Sequence, residues 1–215
     1  MAAETVIAAI RRIYEQFDAL AETLPKEITV EGEVRALACK VGCTACCHQS
    51  VNVTAGQVMV VKAYILRHLK GDLPKIASRL RHTRKGLGET MGAVGVRCPL
   101  LDQEGGCTVY EARPLSCRAF NSFDRGACEA SFLGQDEKRQ SVTLSKLLTL
   151  RSDATKAILQ TELAAGIAAF RQHRINAEGQ IPNFELVRSL TTALQDDDFE
   201  QKCMGGQVLL QDLKR

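Results

Sequence analysis

The chain has 215 residues, 45% hydrophobic and 25% charged, a balance that suits one globular domain. It holds no Trp, so aliphatic side chains must fill the core. The formal charge of +3 counts every Cys as a neutral thiol, and the basic residues are scattered without interleaved stacking aromatics, which argues against nucleic-acid binding.

Residues 4–24 predict an amphipathic helix. Ile7, Ile10, Tyr14, Phe17, Leu20 and Leu24 recur at helical spacing, and Pro25 marks its end. Residues 26–38 read as a loop entering a helical turn. Thr54-Ala-Gly-Gln57 has the form of a capping box, opening a helix that runs to about Lys70 before Gly71. Pro74 opens the next helix, with Ile76, Leu80 and Leu87 inward. Gly86, Gly88, Gly92 and Gly95 then make an irregular approach to Cys98. Without Gly-Lys-Ser/Thr and a preceding strand, this is not a phosphate loop.

Residues 98–128 are loop-rich. Residues 136–175 predict one long helix or two, with Leu144, Leu147, Leu148, Ile158, Leu159, Leu163, Ile167 and Phe170 as the apolar stripe. A short helix follows Pro182 through Leu194, and Asp196-Asp197-Asp198 reads as a solvated turn. The expected class is mainly α: a helical bundle around a loop-rich cysteine core, with few or no strands. One domain is expected over residues 1–215, its cysteine core at 39–128 flanked by helices at 4–24 and within 136–213.

No apolar run approaches the roughly 20 residues of a membrane span. The N-terminus has no basic stretch followed by an apolar one, and Glu4 and Glu15 do not suit a transit peptide. A soluble, cytoplasmic protein away from the membrane is expected. In a reducing cytosol nine cysteines do not suggest disulfides, and eight of the nine lie between Cys39 and Cys128.

The first group is Cys39, Cys43, Cys46 and Cys47, followed by His48. On a helix, Cys43 would lie at about 40°, Cys46 at about −20° and Cys47 at about 80° from Cys39. Gly42 weakens a helix, so a knuckle-like turn is the alternative, and the sulfurs converge either way. The second group is Cys98, Cys107, Cys117 and Cys128, spaced for a loop that wraps and returns. Thiolates are soft donors for zinc, copper(I) and iron–sulfur clusters. Four suffice for a tetrahedral zinc or a four-iron cluster, so eight allow two sites, one site with additional cysteines, or a shared centre. Cys46 and Cys47 could serve different metals. Cys203 reads as a small buried hydrophobe. Arg113 and Arg118 could offset thiolate charge and donate hydrogen bonds to sulfur around the ligands, with Tyr110 packing over the site. A lone His48 is not assigned as a ligand.

The pattern Cys39-x3-Cys43-x2-Cys46-Cys47, with Cys98-Pro-Leu and Cys107-x2-Tyr110-Glu-x-Arg113-Pro114-x2-Cys117-Arg118 after it, resembles the YkgJ-like, or CxxCxxCC, cysteine-cluster family. The resemblance covers about residues 39–128 and implies a zinc- or iron-chelating domain. The family includes flagellin lysine N-methylases, which look like iron–sulfur proteins, and this favours an iron–sulfur cluster, of the 4Fe-4S kind, over zinc. The expected role is redox, sensing or metal handling. Two alternatives remain: a zinc-braced interaction module with an unidentified protein partner, and a methyltransferase-type enzyme. The three-cysteine spacing also matches radical enzymes using S-adenosylmethionine, but Ala45 stands where an aromatic is usual and no barrel pattern follows.

Overall fold

The centre of the fold is a helix that is apolar nearly all round. In α2 (Ala55–His68), the consecutive residues Ala55 to Lys62 are all buried, together with Ile65. Such a helix has no face to give to water and must be surrounded. In the computed structural model, which describes residues 2–40, 42–87, 95–132, 144–167 and 184–205, it packs against α1 (Ala3–Glu22), α6 (Ser145–Ala164) and α7 (Leu186–Gln195). Helix α1 also lies along α6, and α3 (Leu73–Gly86) lies along α7. A last helix, α8 (Phe199–Gly205), closes on α1 and buries Phe199 and Cys203. Two short helices, α4 (Leu115–Arg118) and α5 (Arg125–Phe132), belong to the cysteine-bearing loops. The protein is mainly α, and among the described residues no helix is long and apolar enough to cross a membrane.

The predicted inward face of α1 is rotated slightly: Val6, Ile10, Tyr14 and Phe17 are buried, whereas Leu20 is 51% exposed. Val6 is inward at the first turn, while in the last turn it is Ala21, and not Leu20, that packs on the core. On α6, Leu147, Ile158 and Leu159 point inward as expected, but Leu148 and Leu163 are exposed. Phe170 lies outside the described residues.

Residues 26–38 form a hairpin rather than a loop and helical turn. Strands β1 (Glu27–Val30) and β2 (Glu33–Ala36) pair antiparallel with Val30 opposite Glu33. The two-residue turn Glu31-Gly32 has φ of 52° and 83°, the left-handed pair that matches strand twist. A second small pairing joins β3 (Asn52–Val53) to β4 (Phe184–Glu185). It sets the start of α2 beside the start of α7.

Thr54 does precede α2, but the capping box does not form. Its hydroxyl donates to Glu162 of α6, and the Gly56 N–H donates to the same Glu162 Oε1 at 2.8 Å. Gln57 is turned elsewhere: its Oε1 accepts from the Tyr14 hydroxyl (3.3 Å) and from the Leu115 N–H (2.9 Å). Both side chains of the expected box are buried, so tertiary partners outcompete the local ones. A carboxylate at a helix N-terminus meets both the unpaired N–H groups and the positive end of the dipole.

This contact leaves no room at Gly56. A Cβ there would lie 2.5 Å from Ile10 Cδ1 and 2.6 Å from Glu162 Oε1. Gly56→Ala gains helix propensity of about 1 kcal/mol, but overpacking a tight core costs about 1–3 kcal/mol. It also disturbs a hydrogen bond to a buried carboxyl, worth a further 1–3 kcal/mol or so. The net expectation is a loss of about 3 kcal/mol, read as a lower urea midpoint with unchanged slope. An unchanged midpoint would show that α1 and α6 yield freely there.

Candidate metal centre

The first cysteine stretch is shaped by one glycine. Gly42 has a φ of 84°, which turns the chain sharply and lets the Cys43 N–H reach the Lys40 carbonyl at 3.0 Å. The chain then winds into a 3-10 turn over Ala45–His48, with the Cys47 N–H on the Thr44 carbonyl. Of the two forms left open by the sequence, the tight turn is the one adopted. Val41 lies outside the described residues. His48 holds its Nδ1 3.0 Å from the Thr44 carbonyl, a contact within the same turn.

The second stretch is stitched onto the first by its backbone. The Cys98 N–H donates to the Cys47 carbonyl at 2.7 Å. Leu101 and Cys107 form an antiparallel bridge around a turn in which Asp102 Oδ1 accepts the Gly106 N–H. A 3-10 turn at Tyr110–Ala112 and helix α4 then bring back Cys117. Helix α5 carries Cys128 and packs on the 45–48 turn. Gly95, at φ 81°, locks that packing: its N–H lies 2.7 Å from the His48 carbonyl and 3.1 Å from that of Phe132. The glycine-rich approach thus contributes Gly95, while Gly88 and Gly92 lie outside the described residues.

Ser122 was not singled out in the sequence. Its N–H donates to Cys39 Sγ at 3.2 Å, its carbonyl accepts the Ala38 N–H, and its hydroxyl faces Cys128. The only local signal was the turn-forming Ser122-x-Asp124 pair, which says nothing about sulfur.

None of the described cysteines forms a disulfide. The sulfurs gather in two neighbourhoods. Cys98 and Cys107 pack against the main core, whereas Cys43, Cys46 and Cys128 pack with Ala45, Phe120 and Phe132 in a separate small cluster. Electrostatic coupling joins the two neighbourhoods at Cys46, which is raised by its hydrogen bond to Cys47, by burial, and then by Cys47, Cys117 and Cys39 in that order. Burial first, and then Cys98, Cys47 and Cys107, push the Cys117 thiol well up. Cys107 is raised by burial, with Cys47 adding to it. Burial raises Cys39 and Cys128, and Cys43 is a neighbour of both. Cys46 and Cys47 share a proton. The Cys46 S–H donates to Cys47, which raises Cys46 and lowers Cys47 to about 7, and Arg97 adds to the lowering. Among the described residues no three Cys, His, Asp or Glu side chains already surround one point closely enough to hold an ion. Coordination would therefore have to draw these neighbouring thiols inward.

Two arginines stand beside them with different duties. Arg118 donates to the carbonyls of Arg113 and Glu111 and to Asp18 of α1, and lies 4.5 Å over the Tyr14 ring. It ties the loop to the bundle. Arg113 stacks 3.7 Å over Tyr110, which is 57% exposed. The Arg113 Nε and Nη1 are buried and have no hydrogen-bond partner. Its charge acts on Cys107 and Cys117. Buried donors left unpaired cost about 1–3 kcal/mol or more. A thiolate-bound metal, with net charge of about −2, offers them acceptors. The donor set and these orphaned N–H groups fit such a centre. Arg97 donates to the Asp102 carbonyl, and Arg125 pairs with Glu129 at the surface.

Soft donors gathered from two stretches of loop, carried on a helical bundle, define a cysteine-rich metal-chelating domain. Residues 38–143 match the model of the CxxCxxCC family, described as "Putative zinc- or iron-chelating domain". That match agrees with the expected family over this segment and extends past the expected limit at residue 128. No curated protein and no solved structure matches the chain.

Proposed function

We propose that this protein holds an iron–sulfur cluster of the four-iron kind in the cytoplasm, where it serves redox, sensing or metal handling. Cys47, Cys98, Cys107 and Cys117 are its ligands in this reading. The observation that carries it is the half-buried Arg113, whose buried Nε and Nη1 have no hydrogen-bond partner and whose charge acts on Cys107 and Cys117. Such a cluster, when bound, supplies one-electron redox chemistry, and its potential is set by charge and by hydrogen bonds to sulfur. Arg113 offers both. Tyr110 holds the guanidinium plane, and Arg118 holds the Arg113 carbonyl.

The test is anaerobic purification followed by iron, acid-labile sulfide and zinc analysis. A brown protein with iron and sulfide in equal amounts is expected. A colourless protein with stoichiometric zinc and no sulfide overturns the cluster and leaves the zinc-braced form of the same domain. In the brown protein, Arg113→Gln should lower the midpoint potential and make the cluster easier to lose in air. An unchanged potential would mean that the Arg113 guanidinium does not tune the cluster.

A further inference from the structure

We infer that Cys39, Cys43, Cys46 and Cys128 form a second, separate site for a thiophilic metal, so that the adjacent Cys46 and Cys47 serve different centres. The inference rests on the proposed function only in taking Cys47, Cys98, Cys107 and Cys117 as the first site. Three observations carry it. The apolar packing divides the sulfurs, with Cys43, Cys46 and Cys128 around Phe120 and Phe132, and Cys98 and Cys107 on the main core. Ser122 then adds Cys39 to the first of these groups, because it donates to Cys39 Sγ and faces Cys128. Lastly, Cys46 and Cys47 sit in a 3-10 turn, where successive side chains diverge by about 120°. The two Cα–Cβ bonds therefore leave the backbone in different directions, although the thiols themselves remain in hydrogen-bond contact.

The division gives four thiolates to each side, the number that closes a tetrahedral zinc or holds a four-iron cluster. Zinc and a second cluster share this ligand chemistry. The two sites would be adjacent, since the Cys46 thiol touches that of Cys47. Helix α5 is the element that makes the second site: it supplies Cys128 and is clamped to the 45–48 turn through Gly95.

The test uses the full chain, purified anaerobically, with native mass spectrometry and metal and sulfide analysis. The unaltered protein should carry two metal increments, lost in two steps as chelator is raised. Cys128→Ser and Cys46→Ser should each lose the same increment, and Cys117→Ser and Cys47→Ser the other. Zinc in the increment governed by Cys128, or further iron with sulfide, both support the second site and name its metal. A single increment in the unaltered chain overturns the inference, as does the same loss from Cys46→Ser and Cys47→Ser. Two zinc increments without sulfide would sink the iron–sulfur reading and leave the two sites standing. A chain with no metal sinks both.

Discussion

Removing the metal with a chelator should release residues 38–48 and 119–132 to fast hydrogen exchange, while α1, α2, α6 and α7 stay protected. The expectation follows from what holds each part. The bundle has a continuous core in which Ile10, Met59, Ile65, Leu147, Ile158 and Leu190 are all fully buried. The cysteine loops have much less. Around the 45–48 turn and α5, the buried set is Ala45, Phe123, Ala127, Cys128, Ala130 and Phe132. Burying each phenylalanine contributes about 1.5–3 kcal/mol, while ordering a backbone costs about 1–2 kcal/mol for every residue. Metal–thiolate bonds are on another scale: a structural zinc in a small domain contributes about 10–16 kcal/mol. The loops around Val109, Ala112 and Leu115 should respond less, because those residues are buried in the main core. Exchange that stays slow at residues 119–132 after verified metal loss would mean that packing alone holds α5.

What the sequence made legible followed the strength of each local signal. Helices with a long apolar period were read with nearly correct ends, and Pro74 and the Asp196 turn stand where they were expected. The hairpin at 27–36 was missed because each strand is four residues long and largely exposed. An alternation that short, with neither face fully buried, does not separate from noise. The capping box failed for the opposite reason. Its motif was intact, but Glu162, more than a hundred residues away, took the Thr54 hydroxyl, and Tyr14 and Leu115 took the Gln57 side chain. No pattern within a turn of Thr54 could reveal that. At the candidate centre, residue type was legible and grouping was not. Eight cysteines announced a metal, yet their division depends on Phe120, Ser122 and the direction of a 3-10 turn, all of them set by tertiary packing.

Glu162 should also make the protein less stable as pH rises from about 5 to 8. The residue has no exposed surface, and burial raises its carboxyl from 4.5 to about 7, against the lowering effect of Thr54 and Gly56. Its Oε2 is buried with no partner. The unfolded chain releases this proton near 4.5 and the folded one near 7. Between those values the native state binds more protons, so the stability falls with rising pH, by about 3 kcal/mol in all. The groups around it do not share that window. Tyr14 and Cys203 are its neighbours, and burial keeps the tyrosine well above its usual range and pushes the cysteine up to about 12. The metal centre has the opposite trend, because protons compete for thiolates as pH falls. Glu162→Gln separates the two. The amide keeps an acceptor for Thr54 and Gly56 but cannot ionise, and its NH2 stands where Oε2 has no partner, at a cost of about 1–3 kcal/mol that does not vary with pH. In urea unfolding at pH 5, 6, 7 and 8, the difference between the two proteins should favour the native residue at pH 5 and shrink or reverse by pH 8. A difference that is flat across this range would show that Glu162 is ionised throughout, held by donors on its second oxygen.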